Sequence, residues 1–463
     1  MIWMLKQSHE IAAQRTLAMT KCGGEGGSMY ALSPLKVYVL DRVNKDKRRV
    51  RRMERMLKAL KNNPEVIVIK DSNLPEVMDE LNHLWPPANP GDTVKSYTRP
   101  LVFTTMDLSY RRKELGPLLK RCPAGTSQGD LGKIYGYMET AIDQHPHLKD
   151  QIDNCVCWPT YNFGTVAGCS HGCLYCGEGR EAKLISIALN LEEYMEKVVG
   201  PVIEANPWEK VFRMILGGAD LITLEPEYGL FDLFTRKLAE FPGRYGHFHT
   251  GSSNVDWIAD LKYRNRLVGV WSVTCNSVAR NIEQGAGGAF DRFDAAGRVQ
   301  KMGIPVRYKF KPVIPIKNWR KEYTEAIDYA LKHTSPESIG FCLYMWNTFE
   351  SMSHALPLEM LDRDYVSAAR KDAEKMRDVK TGPFPHEVRR EIYRFMIEQV
   401  RKRDKKVLLY VSTETREMWD ELKDELGQDP RSYICGCGSL AVPGKKLAIC
   451  PGFKYSTYNP TPV

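Results

Sequence analysis

Cys169-Ser170-His171-Gly172-Cys173-Leu174-Tyr175-Cys176 decides how the rest of the chain is read. The three cysteines stand at intervals of four and three, with Gly168 just ahead of them and Gly172 inside the loop. Three thiolates this close in sequence can wrap one corner of a cubane iron–sulfur cluster and leave a fourth iron without a protein ligand. An open coordination position is where chemistry occurs at a metal site. The competing readings are a zinc knot and plain buried thiols. A zinc knot wants a fourth Cys or His, and inside the loop only His171 offers one.

Outward from the loop, the chain alternates between strand and helix. Phe163–Ala167 reads as a strand that leads into the cysteines. Further strand candidates at 211–216, 245–249, 267–273, 306–310 and 339–344 are separated by helical stretches near 191–204, 228–240, 255–263, 290–302 and 321–333. Such units predict a parallel sheet wrapped by helices: an α/β fold built on a partial or full (β/α) barrel. Barrels of this kind carry their chemistry at the C-terminal ends of the strands, where the cysteine loop falls. The expected organisation is a flexible leader over 1–33, a small N-terminal α/β cap over 34–150, the barrel over 151–350, and a helical extension over 351–463 with a cysteine-containing tail.

With 463 residues, 43% of them hydrophobic, the chain can bury a sizeable core. No apolar run approaches the ~20 residues of a membrane span, and the first residues lack a signal-peptide pattern, so the expectation is a soluble cytoplasmic protein. In that compartment the 12 cysteines read as metal ligands and reduced thiols rather than disulfides. The net charge of +9 is unevenly placed. Residues 45–61 hold nine Lys or Arg against Asp46 and Glu54, and 389–406 form a second basic run. Such patches attract polyanions, although Val50, Met53, Leu57 and Leu60 beneath the first also suit an ordinary solvated helix.

The C-x3-C-x2-C spacing resembles the signature of the radical S-adenosylmethionine (SAM) enzymes. In that family the free iron chelates SAM, and one electron releases a 5′-deoxyadenosyl radical that takes a hydrogen atom from the substrate. The resemblance implies a [4Fe–4S] cluster on Cys169, Cys173 and Cys176, SAM, and a reductant such as flavodoxin or ferredoxin. Ile215-Leu216-Gly217-Gly218-Ala219-Asp220 resembles the family's glycine motif, so Gly217, Gly218 and Asp220 are expected to receive the methionine amino group. Ser272 and Lys311 fall where the family contacts the SAM ribose and carboxylate.

A closer resemblance, over about 36–344, is to spore photoproduct lyase, which reverses a thymine dimer in DNA. It is carried by Val37-Tyr38-Val39-Leu40, Val255-Asp256-Trp257-Ile258, Trp271-Ser272-Val273, Arg292-Phe293-Asp294-Ala295-Ala296, Lys301-Met302-Gly303-Ile304-Pro305 and Pro312-Val313 with Trp319, in that order. The departures from this family bear on activity. A cysteine after the second strand returns a hydrogen atom in the lyase; here Gly217-Gly218-Ala219 occupies that region. The family's tyrosine after the last cluster cysteine is replaced by Gly177, although Tyr175 is retained to line the site. Gly251 replaces the lysine that follows the third strand.

Without a thiol donor, a rearranged substrate radical can recover its hydrogen from 5′-deoxyadenosine, which regenerates SAM. This favours an isomerase acting on an already modified thymine-derived base in DNA, as in bacteriophage thymidine hypermodification. The alternatives are a repair lyase using Cys275 as a relocated donor, a radical SAM enzyme on a small metabolite, and a non-catalytic iron–sulfur protein that binds nucleic acid. Cys435, Cys437 and Cys450, joined by Cys155 and Cys157, are candidates for a second metal or cluster. Tyr433, Phe453, Tyr455 and Tyr458 in the tail are candidates for stacking on bases.

Overall fold

Short runs such as Val37-Tyr38-Val39-Leu40 and Val66-Ile67-Val68-Ile69 are rich in β-branched and aromatic residues, and they form strands of two mainly parallel sheets. The computed structural model describes residues 32–85, 96–108, 113–137, 141–143, 155–157, 160–180, 182–215, 219–283, 285–430 and 432–444. Its strands are β1 (Val37–Leu40), β2 (Val66–Ile69), β3 (Leu101–Thr104), β4 (Ala141–Asp143), β5 (Cys155–Val156), β6 (Thr160–Asn162), β7 (Val166–Ala167), β8 (Ile185–Ala188), β9 (Val211–Arg213), β10 (Tyr245–Thr250), β11 (Leu267–Val273), β12 (Val306–Val313), β13 (Ser338–Leu343), β14 (Leu408–Val411) and β15 (Glu414–Thr415). The front sheet runs β2-β1-β3-β8-β7 and the large sheet runs β14-β13-β12-β11-β10-β9-β6-β4. From β6 to β14 every neighbouring pair in the large sheet is parallel, which makes a curled half-barrel; β4 adds an antiparallel edge.

Three details depart from the pattern read along the chain. Phe163–Ala167 is not one barrel strand: β6 ends at Asn162, and Val166–Ala167 turns across to pair antiparallel with β8 in the front sheet. The cysteine loop therefore springs from the seam between the sheets. Likewise, the barrel sheet takes its last strand, β14, from beyond residue 351, and the front sheet takes β7 and β8 from beyond residue 151. The 255–263 stretch forms a 3-10 turn over Asp256–Asp260 rather than an α-helix. Residues 1–31 of the expected leader, Gly217, Gly218, Cys450, Phe453, Tyr455 and Tyr458 lie outside the described residues.

Helices Leu230–Ala239, Ala289–Lys301 and Trp319–His333 cover the convex face of the half-barrel through aromatic contacts. Phe234 packs on Phe163, Phe293 meets Tyr308 edge-on at 5.2 Å, and Tyr323 meets Phe310 at 6.1 Å. Alternation along each strand then points the other set of side chains into the lumen. On the lumen side, the Cys435–Ser439 segment closes the N-terminal end of the strands. Arg307 donates to the carbonyls of Gly436 at 2.8 Å and Ala441 at 2.6 Å, while the Lys210 and Val211 amides reach Ser439 O at 2.8 and 2.9 Å.

Both basic runs are largely absorbed by the fold. In helix Lys47–Leu57, Arg52 is buried and donates to Leu189 O, Tyr228 O and Glu192. Arg48 pairs with Asp46, Arg49 with Glu193, and Arg55 donates to Glu227 O. In the second run, Arg389 pairs with buried Glu414, Arg390 with Glu421, Arg394 with Glu425 and Arg403 with Asp328. Lys45, Lys47, Arg51, Lys58 and Lys61 keep an exposed basic face on the first helix and its flanks. No helix among the described residues is long and apolar enough to cross a membrane.

Candidate active site

The cysteine loop is a tight, tethered turn. Gly168 and Gly172 take positive φ values of 86° and 64°, which the loop's sharp reversals require. A Cβ at Gly168 would lie 2.4 Å from Leu184 O, so only glycine fits there. The short helix Gly177–Arg180 folds back on the loop: the Cys169 amide donates to Glu178 O at 3.1 Å and the Gly168 amide to the Glu178 carboxylate at 2.9 Å. Arg99, fully buried, ties the whole turn to the front sheet. Its guanidinium donates to Cys169 O at 3.1 Å, Glu178 O at 3.0 Å and Gly179 O at 2.8 Å. The other flank is fixed by Leu174 N to Ile282 O at 2.9 Å and Gly285 N to His171 O at 2.8 Å.

This framework brings Cys169, Cys173 and Cys176 close enough to interact electrostatically: Cys176 acts on Cys169, and both act on Cys173. Burial pushes Cys169 up to about 12 and raises Cys173 and Cys176 as well. Thiols so placed become thiolates when a metal supplies the compensating charge, and metal binding then releases their protons. Three converging thiols, no fourth ligand from a neighbouring cysteine in the loop, and two glycines that let the backbone wrap close fit a cubane with one free iron.

Asp220 stands beside this loop but is already engaged. Its carboxylate accepts from Thr250 Oγ1 at 2.7 Å, the Gly251 amide at 2.8 Å and the Ile222 amide at 3.2 Å, and it lies 3.7 Å from His171 Nε2. The residue thus joins the β9 and β10 ends to the cysteine loop. Ser272 Oγ shares a 2.9 Å hydrogen bond with His249 Nε2, and its carbonyl accepts from Arg292 at 3.1 Å. Lys311 stacks over Trp346 at 5.1 Å, and its charge acts on Cys176; burial lowers its pKa below the usual lysine range.

Tyr175 points its hydroxyl to Glu283, which pairs with Arg292 at 2.6 Å in a site where both charged groups are almost fully buried. The Tyr175 ring also meets Tyr344 edge-on at 6.3 Å. Sequence reasoning missed Arg99 and Glu283. Arg99 carries no spacing signal, because it reaches Cys169 only through the order of strands in the front sheet, where β3 and β7 both flank β8. Glu283 lies in a glycine-rich link whose role depends on Arg292, itself visible only as part of a matching segment.

Cys275 is placed elsewhere. Its sulfur lies among Glu322 and Tyr323 of the outer helix, and burial raises it to about 12. Cys155 pairs with Thr415 in the small β5–β15 ribbon. Cys157, Cys435 and Cys437 do approach one another inside the lumen. Their neighbour is Lys309, whose ammonium sits 3.8 Å from Cys437 Sγ.

The spore photoproduct lyase family model matches residues 151–396. Spore photoproduct lyase of Clostridium acetobutylicum is 23% identical over 205 residues, 42% of this chain and 59% of the relative, so the match spans less than two thirds of that relative's length. Among solved structures, spore photoproduct lyase complexed with dinucleoside spore photoproduct superposes with a TM-score of 0.56 at 14% identity, over 82% of this chain and 98% of that one. A double mutant of spore photoproduct lyase with bound AdoMet and dinucleoside spore photoproduct gives 0.55 at 15% identity over the same shares. At these identities the superpositions speak for the fold.

Proposed function

The chain belongs to the spore photoproduct lyase family, and from that premise we propose that it is a radical SAM enzyme that rearranges a thymine-derived base in DNA. Cys169, Cys173 and Cys176 would hold a [4Fe–4S] cluster that, with SAM bound, supplies a 5′-deoxyadenosyl radical. Arg99 fixes the loop that presents the three thiols, and Asp220 fixes the neighbouring strand ends. Tyr175, held by the Glu283–Arg292 pair, walls the space in front of the loop, and its raised pKa keeps the phenol protonated.

The observation that carries the choice of rearrangement is the placement of Cys275. The family's returning thiol is replaced by the 217–219 segment, and Cys275, the substitute read from the sequence, packs against the outer helix. A product radical that finds no thiol takes its hydrogen back from 5′-deoxyadenosine, and the net reaction is redox-neutral. A second reading, a lyase with a donor relocated to Cys342 or Cys437, is favoured by the presence of those thiols in the lumen. A second metal at Cys157, Cys435 and Cys437 is disfavoured by the Lys309 ammonium beside it, since a divalent cation there would meet a fixed positive charge.

A duplex base would have to be flipped out of the stack, at a cost of a few kcal/mol. The exposed Lys45, Lys47, Arg51, Lys58 and Lys61 face would offset this through phosphate contacts.

The test uses substrate deuterated at the abstracted position. Rearrangement predicts deuterium in recovered SAM and undiminished product from Cys275→Ala, Cys342→Ala and Cys437→Ala. Deuterium trapped in stoichiometric 5′-deoxyadenosine, with product lost in one cysteine variant, would establish the lyase reading instead.

A further inference from the structure

A tryptophan ring is seldom left open to water, and a bulky side chain seldom sits on left-handed backbone. Trp346 does both. It is 47% exposed, the only exposed tryptophan among the described residues, and its φ is 61°. Its neighbours pin it in that conformation. The Trp346 amide donates to Lys380 O at 2.8 Å. Two residues on, Thr348 caps the helix Phe349–Ala355 by accepting from the Ser351 amide at 3.1 Å. Strained backbone of this kind persists where the surrounding structure enforces it, and it clusters at sites of function.

The position of Trp346 in the fold decides what its ring can meet. It follows the C-terminal end of β13, the end of the half-barrel where the cysteine loop stands. Phe341 stacks on Phe310 at 6.0 Å, on the side of the covering helices, so Cys342 and Tyr344 alternate toward the lumen. Tyr344 meets Tyr175 of the cysteine loop, and the Lys311 ammonium lies over the Trp346 ring at 5.1 Å. Trp346 thus extends the Tyr175–Tyr344 wall outward to the rim. Lys311 covers one face of the indole, and the other is open. Val379 and Lys380, both exposed, border the ring: an apolar and a cationic neighbour that suit the base and the phosphate of a nucleotide.

We infer that Trp346 is a stacking residue for the substrate: the target base, drawn out of its strand, lies on the open indole face at the mouth of the lumen. This rests on the function proposed above and names the residue that receives the base. Stacking on an aromatic ring compensates for the neighbours that a flipped base loses, whatever the surrounding sequence. A ring already fixed by the Lys380 carbonyl and the capped helix needs little further ordering when the base arrives.

Photocrosslinking of the anaerobically reconstituted, unreduced full chain with saturating SAM tests this. The probe is a short single-stranded oligonucleotide whose single thymine is replaced by 5-iodouracil, a thymine mimic that couples on irradiation to an aromatic ring stacked on it. The crosslink should map to Trp346. Trp346→Gly removes the ring and relaxes the left-handed backbone. It should bind the oligonucleotide about 5- to 150-fold more weakly by fluorescence anisotropy, with SAM affinity unchanged and a melting temperature at or above the parent's. Trp346→Tyr keeps an aromatic face and should recover most of the lost affinity.

A crosslink that maps only to other residues would overturn the inference. So would Trp346→Gly with its oligonucleotide affinity intact and its melting temperature lowered, which makes the ring a packing residue, or with SAM affinity reduced, which gives the ring to SAM. A Trp346 crosslink in a protein that never cleaves SAM when reduced would leave the stacking site standing and sink the proposed function. DNA-stimulated SAM cleavage without that crosslink would do the reverse.

Discussion

At the residue scale, the site is held by charged groups that were folded inward and then fully committed. Arg99 donates to three carbonyls of the cysteine turn, and leaving them unsatisfied would cost about 2–4 kcal/mol. Arg99→Met should therefore lower stability by that amount in a denaturant melt and reduce iron bound per chain after reconstitution. A variant with full iron occupancy would show that the loop holds its shape unaided. The Glu283–Arg292 pair is the second case. Glu283→Gln leaves a nearly fully buried guanidinium without its counter-charge and should cost about 3–5 kcal/mol. Asp220→Asn loses an acceptor shared by Thr250, Gly251 and Ile222, and a loss of about 1–3 kcal/mol is expected. If Asp220→Asn instead leaves stability intact and weakens only SAM binding in calorimetry, the carboxylate is a ligand contact and not a strut.

At the scale of elements, the basic helix separates two roles that its sequence presents as one. Arg51 and Arg52 are adjacent and chemically identical, yet one is exposed and the other 5% exposed in a cage of carbonyls and Glu192. Arg52→Ala should cost about 3–5 kcal/mol by denaturant melt, whereas Arg51→Ala should stay within about 0.5 kcal/mol. If the exposed face tracks DNA, Arg51→Glu with Lys47→Glu should weaken DNA binding and flatten its salt dependence, with the melt unchanged. The charge run was plain in the sequence. Which arginines point inward was not, because Glu192, Leu189 and Tyr228 arrive from far along the chain. Strand periodicity was more informative: β10 to β13 fall where the apolar runs placed them. The stretch before the cysteines reads as one strand, because nothing local announces that the chain leaves one sheet for another at Gly164.

At the scale of the whole molecule, two sheets meet at the cysteine loop, and a C-terminal segment closes the far end of the lumen. Family and fold class were legible, since three cysteines at fixed spacing and a strand–helix rhythm are both local signals. The polar lining of the lumen was not. Arg213, His247 and Lys309 each look like ordinary polar residues in strands, and only parallel register and the Cys435–Ser439 plug bring them together. The same plug explains why the tail cysteines invited a metal reading from sequence: the chain gives their pairing, but not the ammonium beside them.

The central claim is that the three thiols of this loop support SAM cleavage directed at a thymine-derived base. The most direct measurement is 5′-deoxyadenosine formed by the anaerobically reconstituted, reduced protein, with and without thymine-modified DNA. The account predicts cleavage that DNA stimulates and that Cys169→Ala, Cys173→Ala or Cys176→Ala abolishes. An intact cluster with a competent reductant, SAM and DNA that yields no 5′-deoxyadenosine would contradict it.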